Sequence, residues 1–274
     1  MTLLSGKGVH CETKNDAGVF IPLLVFGCVQ SDRHTESALP KPNEINDLGA
    51  LVTEDLPERV WGKGFMTQMG FAESNTFDVI SWDFGPISGS NAYYRIFNHG
   101  GPHVDAPNHV GMGLGIDSYP IESFIGPARV IDMSHLPAGR SVTKEMLEDQ
   151  DIEAGDIVLM YTDYVPPQTE SALPESITLT FEASEYLSSI PIRVFGTDAF
   201  AVDSLTDESP VVADSEVART MPAHYSFLSR SIPAYEQLMK MDRLLGKRNL
   251  FFVGVPLNMA NGDGMIVRPV MFVY

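Results

Sequence analysis

From about residue 47 onward, apolar and polar positions follow two alternating regimes. Short apolar runs at Ala128–Met133, Asp156–Thr162, Ile192–Thr197, Leu250–Val255 and Ile266–Tyr274 have the length of single strands. Their unbroken apolar character predicts strands covered on both faces. Between them lie segments with helical spacing, Thr143–Asp149, Phe181–Ile190 and Tyr235–Leu245, the last closed by Gly246. The stretch Tyr164–Thr180 is rich in Pro, Ser and Thr and reads as a long loop. Strands alternating with helices predict an α/β fold. No repeat or linker divides residues 45–274, so a single domain is expected there.

Residues 1–44 break that pattern. Ala17–Val29 is an uncharged apolar run, too short to cross a bilayer as a helix, with Lys7 and Lys14 before it and a polar stretch after it. The layout fits a leader: a secretory signal, or a lipoprotein segment ending at Val25-Phe26-Gly27-Cys28. Phe26 and the acidic Glu12 and Asp16 fit it poorly, and a disordered leader or a strand over 19–27 accounts for it equally well. Location stays open with it: cytoplasmic, or exported if residues 1–28 are a signal.

Charge narrows the partners. With 36 acidic against 18 basic residues the chain carries a formal net charge of -18. Such a surface repels phosphates, which excludes nucleic acid and leaves a small-molecule substrate as the expected partner. Only Cys11 and Cys28 occur, so a cysteine-ligated zinc site in the main domain is excluded. Any metal there must be held by histidine and carboxylate, a donor set that suits zinc, manganese or iron.

Residues 99–109 supply such donors, reading H-G-G-P-H-V-D-A-P-N-H. Gly100, Gly101 and Pro102 argue against a helix. In an extended chain His99, Gly101, His103 and Asp105 share one face, with Gly101 leaving room for an ion. Two imidazoles and a carboxylate form a three-ligand set that leaves a position for water. Pro107 ends the extended run and places His109 just past the cluster.

The segment resembles the signature of the bacterial cyclase family, H-x-G-T-H-x-D-x-P-x-H, the group that contains the kynurenine formamidases and isatin hydrolases. One departure is Pro102 in place of threonine, which removes a backbone donor beside the ligands. Weaker likenesses follow in order: Asp47-Leu48, Leu56-Pro57 with Trp61-Gly62, Gly155–Leu159 with Thr162, Gly196-Thr197-Asp198 with Asp203, and Pro256-Leu257 with Asp263-Gly264 and Arg268. The resemblance implies a swivelling β/β/α fold and a metal-dependent amidohydrolase acting on a cyclic amide or aryl formamide. It implies His99, His103 and Asp105 as ligands, His109 as general base and acid, and Trp61 and Phe65 as substrate contacts. His224 and Glu236, twelve residues apart, match a pair that binds a second ion bridged by Asp105. Read alone, Glu236 is a solvated carboxylate at a helix start. One or two divalent ions, zinc or manganese, and a homo-oligomer (dimer or tetramer) complete the expectation. A lactone or ester hydrolase, and a non-catalytic exported protein that binds a small molecule, are the alternatives.

Overall fold

The computed structural model describes residues 40–71, 74–167, 174–204 and 216–274; of the leader expectation for residues 1–44, residues 1–39 lie outside them, and Glu44 already pairs into the sheet. The strands are β1 Glu44–Asp47, β2 Thr76–Phe84, β3 Ile87–Arg95, β4 His103–Asp105, β5 Ile125–Asp132, β6 Ser141–Val142, β7 Ile157–Tyr161, β8 Thr178–Leu179, β9 Val194–Thr197, β10 Ala234–Glu236, β11 Leu250–Val253, β12 Gly264–Ile266 and β13 Val270–Val273. The helices are short: α1 Leu56–Trp61, α2 Lys63–Gln68, α3 Lys144–Glu148, α4 Phe181–Ser189, α5 Glu216–Thr220 and α6 Pro222–Leu228.

Nine strands form one mixed sheet in the order β1-β13-β11-β5-β7-β9-β10-β4-β12. Its centre, β5-β7-β9-β10, is parallel, and antiparallel strands extend it on both sides. The expected α/β class is therefore the observed one. All five residues of β7 are buried. Ile157 and Leu159 join the core on one face, with Leu48, Tyr235 and Phe252. Val158 and Met160 join the core on the other, with Leu147 of α3, Leu187 of α4 and Phe227 of α6. Alternate side chains feeding opposite layers explain why the run lacks polar positions. Phe227 stacks on Phe195 of β9 with centroids 4.8 Å apart, which clamps α6 to the sheet.

Two expected elements are corrected. Tyr235–Leu245 is not a helix: Ala234–Glu236 is strand β10, and only Met241–Leu244 makes a 3-10 turn. Seven consecutive buried residues, Ile232–Leu238, leave no polar face for a surface helix. Gln237 and Lys240 then take left-handed φ values of 59° and 58°, which break any helical path. The expected strand Ile266–Tyr274 is two strands, β12 and β13, separated around Pro269, which has no N–H to continue a ladder.

Candidate metal centre

Strand β4 lies between β10 and β12 near one end of the sheet. Its antiparallel register sets Glu236 opposite His103, and Gly264 opposite Asp105. The sequence spacing of 133 residues between His103 and Glu236 thus closes through a strand pair.

The extended reading holds for His103–Asp105 alone. His99 sits in a turn, not on the strand face, because Gly101 takes φ 141° and folds the chain back. A Cβ at Gly101 would lie 2.7 Å from Leu56 Cδ2, so the turn also needs a residue without a side chain. The turn returns His99 Nδ1 to 2.9 Å from Asp105 Oδ1. Gly264 makes room for that ring, since a Cβ there would fall 2.7 Å from His99 Cε1. Pro107 starts a 3-10 turn, Pro107–Val110, that carries His109 over the cluster. His109 lies with its ring centroid 4.4 Å from His99 and 5.4 Å from His224.

The ligating atoms converge. His103 Nε2 is 3.3 Å from Asp105 Oδ1, and His224 Nε2 is 3.5 Å from Asp105 Oδ2. Glu236 Oε1 is 3.3 Å from His224 Nε2, and its Oε2 is 3.6 Å from His103 Nε2. Ligand atoms around a tetrahedral ion with bonds of ~2.0–2.1 Å stand about 3.3 Å apart, the spacing found here. Asp105 is wholly buried, yet neither of its oxygens has a hydrogen-bond partner, and His99 Nδ1 and His224 Nε2 are likewise unpartnered. Four such atoms left unpaired in one buried cluster are costly unless a cation joins them. The residues present therefore fit a divalent ion, with Asp105 offering one oxygen to the His99–His103 side and the other to the His224–Glu236 side. His109 also lies within ligand reach of Asp105 and His224. Glu236 is a buried strand residue, so the reading of a solvated carboxylate at a helix start is overturned.

The outward nitrogens of the rings are held by the protein. His103 Nδ1 donates to the carbonyl of Gly101 at 2.8 Å. This bond orients the ring without help from position 102, where proline stands. Asp203 accepts from His224 Nδ1 at 2.6 Å and from the backbone N–H of Ala223 at 2.7 Å and His224 at 3.1 Å. It fixes both the start of α6 and the imidazole that α6 carries. Asp263 lies 3.1 Å from His99 Nε2 and accepts from Asn98 at 2.8 Å. Glu236 Oε1 also accepts from the N–H of Val202 at 2.8 Å. Asp203 and Asp263 were not expected at the site. The sequence signal for both was their place in two family-like turns, Val202-Asp203 and Asp263-Gly264.

Charges are shifted by this packing. Burial opposes protonation of His99, but contact with Asp105 and Asp263 overrides it and pushes the ring up to about 9. Burial likewise opposes charge on His224, and Glu236, Asp105 and Asp203 together raise it well above the usual histidine value. Burial pushes Asp105 up, and the surrounding histidines, led by His103 and His109, outweigh it and hold the carboxyl well below the ordinary range. His109 differs: burial, reinforced by the neighbouring His99 and His224, carries it down to about 4 despite Asp105 and Glu236. Its imidazole is thereby kept neutral.

A cavity of about 310 Å³ opens onto the cluster. His99, His103, His109, His224 and Glu236 form its polar end, and Trp61, Phe65, Phe71 and Phe200 its apolar wall. Trp61 is pinned by a 2.9 Å hydrogen bond from Nε1 to the carbonyl of His99, and packs edge-on against Phe200 at 5.0 Å. Of the sequence-expected site residues, Trp61, Phe65, His99, His103, His109, His224 and Glu236 line this cavity, and Asp105 is wholly buried against three of its histidines.

The Cyclase family model matches residues 46–204. The chain belongs to the cyclase family. The match includes His99–His109 and ends before His224 and Glu236, whose place beside Asp105 rests on the geometry above. The kynurenine formamidase of Salinibacter ruber is 31% identical over 180 residues, 65% of this chain and 77% of that protein. The kynurenine formamidase of Bacillus anthracis is 29% identical over 175 residues, 63% of this chain and 75% of that protein. Among solved structures, an isatin hydrolase bound to the product analogue thioisatinate aligns with a TM-score of 0.66 at 22% identity, covering 84% of this chain and 92% of that one. Isatin hydrolase A from Ralstonia solanacearum aligns at 0.65 and 21%, with 84% and 92% covered. These two likenesses are of fold. The chain is a hydrolase of the family.

Proposed function

We propose that this hydrolase cleaves the C–N bond of a cyclic amide or aryl formamide, with His99, His103, Asp105, His224 and Glu236 holding one or two divalent ions, zinc or manganese. The observation that carries the reading is the meeting of two features in one cavity: a cluster of buried, unpartnered ligating atoms and a wall of aromatic rings. A planar aryl amide lies against Trp61, Phe65 and Phe200 with its carbonyl directed at the histidines. The named activities of the relatives, formamidase and isatin hydrolase, involve amide bonds next to an aromatic ring, and the wall suits that substrate class.

A divalent ion in the cluster supplies Lewis acidity, polarising a carbonyl and making water acidic enough to attack at neutral pH. The chain's own groups do the rest. His109, neutral and at the cavity wall, accepts the proton as the water oxygen bonds to the carbonyl carbon. It returns that proton to the leaving nitrogen as the C–N bond breaks, giving a carboxylate and an amine. Asp105 and Glu236 keep the cluster's charge balanced, and Asp203 and Asp263 hold His224 and His99 in the tautomers that face inward. The aromatic wall keeps bulk water from the reacting carbonyl.

The test is elemental analysis of protein purified without chelator, followed by hydrolysis of isatin, N-formylkynurenine and a simple lactone. Bound divalent metal with turnover of an aryl amide is expected. Lactone turnover without amide turnover would move the assignment to an ester hydrolase. A protein with no metal, unaffected in activity and stability by added zinc or manganese, would remove the metal centre.

A further inference from the structure

Gln237 directly follows Glu236 at the end of β10, and no step of the proposed chemistry uses it. Two costs attend its placement. Its backbone holds a left-handed φ of 59°, a conformation that residues with a side chain rarely adopt. The residue is 2% exposed, and its Oε1 is buried without a hydrogen-bond partner. An apolar side chain of similar shape would escape the second cost, so the amide is kept for what its other end does.

That end reaches two carbonyls. Nε2 donates to the carbonyl of His99 and to that of Phe200, at 3.4 Å in each case. The His99 carbonyl also accepts from Trp61 Nε1 at 2.9 Å. Phe200 packs edge-on against Trp61 and Phe65, with centroids 5.0 and 5.4 Å apart. The backbone adds two ties to the same segment: the N–H of Gln237 donates to the carbonyl of Ala199 at 3.1 Å, and that of Leu238 to Thr197 at 3.0 Å. One residue thus joins the end of the Glu236 strand, the turn that carries His99, and the aromatic wall.

We infer that Gln237 is a positioning residue that fixes the distance between the aromatic wall and the ligating cluster. The role rests on the aryl-amide reading of the cavity. His103, His224 and Glu236 have supports of their own, at Gly101, Asp203 and Val202, and keep their places without the amide. What Gln237 adds is a direct link from the His99 backbone to that of Phe200. A substrate lying on the wall presents its carbonyl to the histidines only while that distance holds, and a misplacement of about 1 Å costs on the order of 10²-fold in rate.

Gln237→Met tests this, because methionine keeps the length of the side chain and removes both donated bonds. The orphaned Oε1 disappears as the Phe200 carbonyl loses its donor, so the thermal midpoint should stay close to that of the wild type. With isatin or N-formylkynurenine, whichever the wild type hydrolyses, kcat should fall about 10–100-fold while KM and the bound metal of the purified protein stay near wild type. Gln237→Gly separates side chain from backbone, since glycine takes φ 59° without strain. It should lose kcat as methionine does, and it decides the matter if the methionine variant does not fold. Wild-type kcat in the glycine variant would leave only a backbone role, and a loss that appears in KM alone, or that follows loss of metal or of the fold, would make Gln237 merely structural; each overturns the inference. A wild type that holds no metal and hydrolyses neither compound fails before any substitution is made, and removes the reading of the cavity together with this role.

Discussion

Asp203→Asn tests whether the site is built by the residues behind the ligands. Asp203 accepts two backbone N–H bonds at the start of α6 and the His224 Nδ1 proton at 2.6 Å, all while buried. Asparagine keeps one acceptor oxygen, which can still serve Ala223. It puts an NH₂ where a carboxylate oxygen met His224 Nδ1, so donor would face donor. In that orientation the conflict at the ring is relieved when His224 moves its proton to Nε2, the atom that points at Asp105, and a protonated Nε2 cannot ligate; the flipped amide keeps the ring bond and loses the one to Ala223 instead. Loss of a charge-assisted hydrogen bond costs about 1.5–3 kcal/mol, and loss of the negative charge at a helix start adds roughly 0.3–1. The expected stability loss is therefore about 2–4 kcal/mol. Metal affinity at the His224 side should fall about 10–100-fold, the usual effect of removing a partner of a ligating histidine.

Two measurements read this. Urea unfolding of the chelated protein gives the stability change, and competition against a chromophoric chelator gives the affinity. Both should move, and Asp203→Ala should lose more stability than Asp203→Asn because all three bonds are lost. A variant within about 0.5 kcal/mol of the wild type, with unaltered metal affinity, would refute the claim that Asp203 sets the His224 tautomer.

Three further outcomes are expected. His103→Ala should lose metal and activity together, while His109→Ala keeps its metal and loses about 10²–10⁴ in turnover; equal metal loss in both would make His109 a ligand. In the metal-free protein His99, raised to about 9, contributes stability that is complete below the ordinary histidine value of about 6.5 and is lost as pH rises through about 9. His109, lowered to about 4, works the other way, so its contribution is lost as pH falls from about 6.5 to about 4. Thermal scans of the chelated protein should thus fall off on both sides of pH ~6.5, with zinc or manganese restoring most at the alkaline end, where ligand protons no longer compete; a flat profile would contradict the shifts. Glu236→Gln should reduce the metal count from two to one in a two-ion site, or change rate at constant count in a one-ion site; full metal with normal kinetics would withdraw Glu236 from the chemistry.

What was legible in the sequence was legible because it was local. His99–His109 lies within one turn, one strand and one 3-10 turn, so its donor content and the absence of helix could be read from Gly100, Gly101, Pro102 and Pro107. The parallel strands showed as apolar runs because both their faces are covered, and α4 showed as a helix because its apolar positions recur on one side. The β2–β3 ribbon was missed for the opposite reason. Among the described residues its strands pair with each other alone and none of their residues is buried, so apolar residues fall on both faces and no burial pattern separates inside from outside. Asp203 and Asp263 fall in family-like turns that reveal no role for them, since a carboxylate that orients a distant histidine has no spacing rule of its own.

The misreading of Tyr235–Leu245 shows how the site depends on tertiary pairing. Its apolar positions satisfy a helical period, yet Ala234 and Tyr235 pair with β9 on one side while Ala234–Glu236 pair with β4 on the other. As a helix, the segment would have left Glu236 on a wet surface and β4 as an unpaired edge at the metal cluster. As a strand, it satisfies the backbone of the ligand strand and delivers a carboxylate against His103 and His224. The twelve-residue interval between His224 and Glu236 therefore spans a helix end, a turn and a strand entry, and it works because Asp203 fixes the first and β4 the last. A substitution at Asp203 should therefore loosen α6 and the metal cluster together, while the central strands β5, β7 and β9 keep their own pairing.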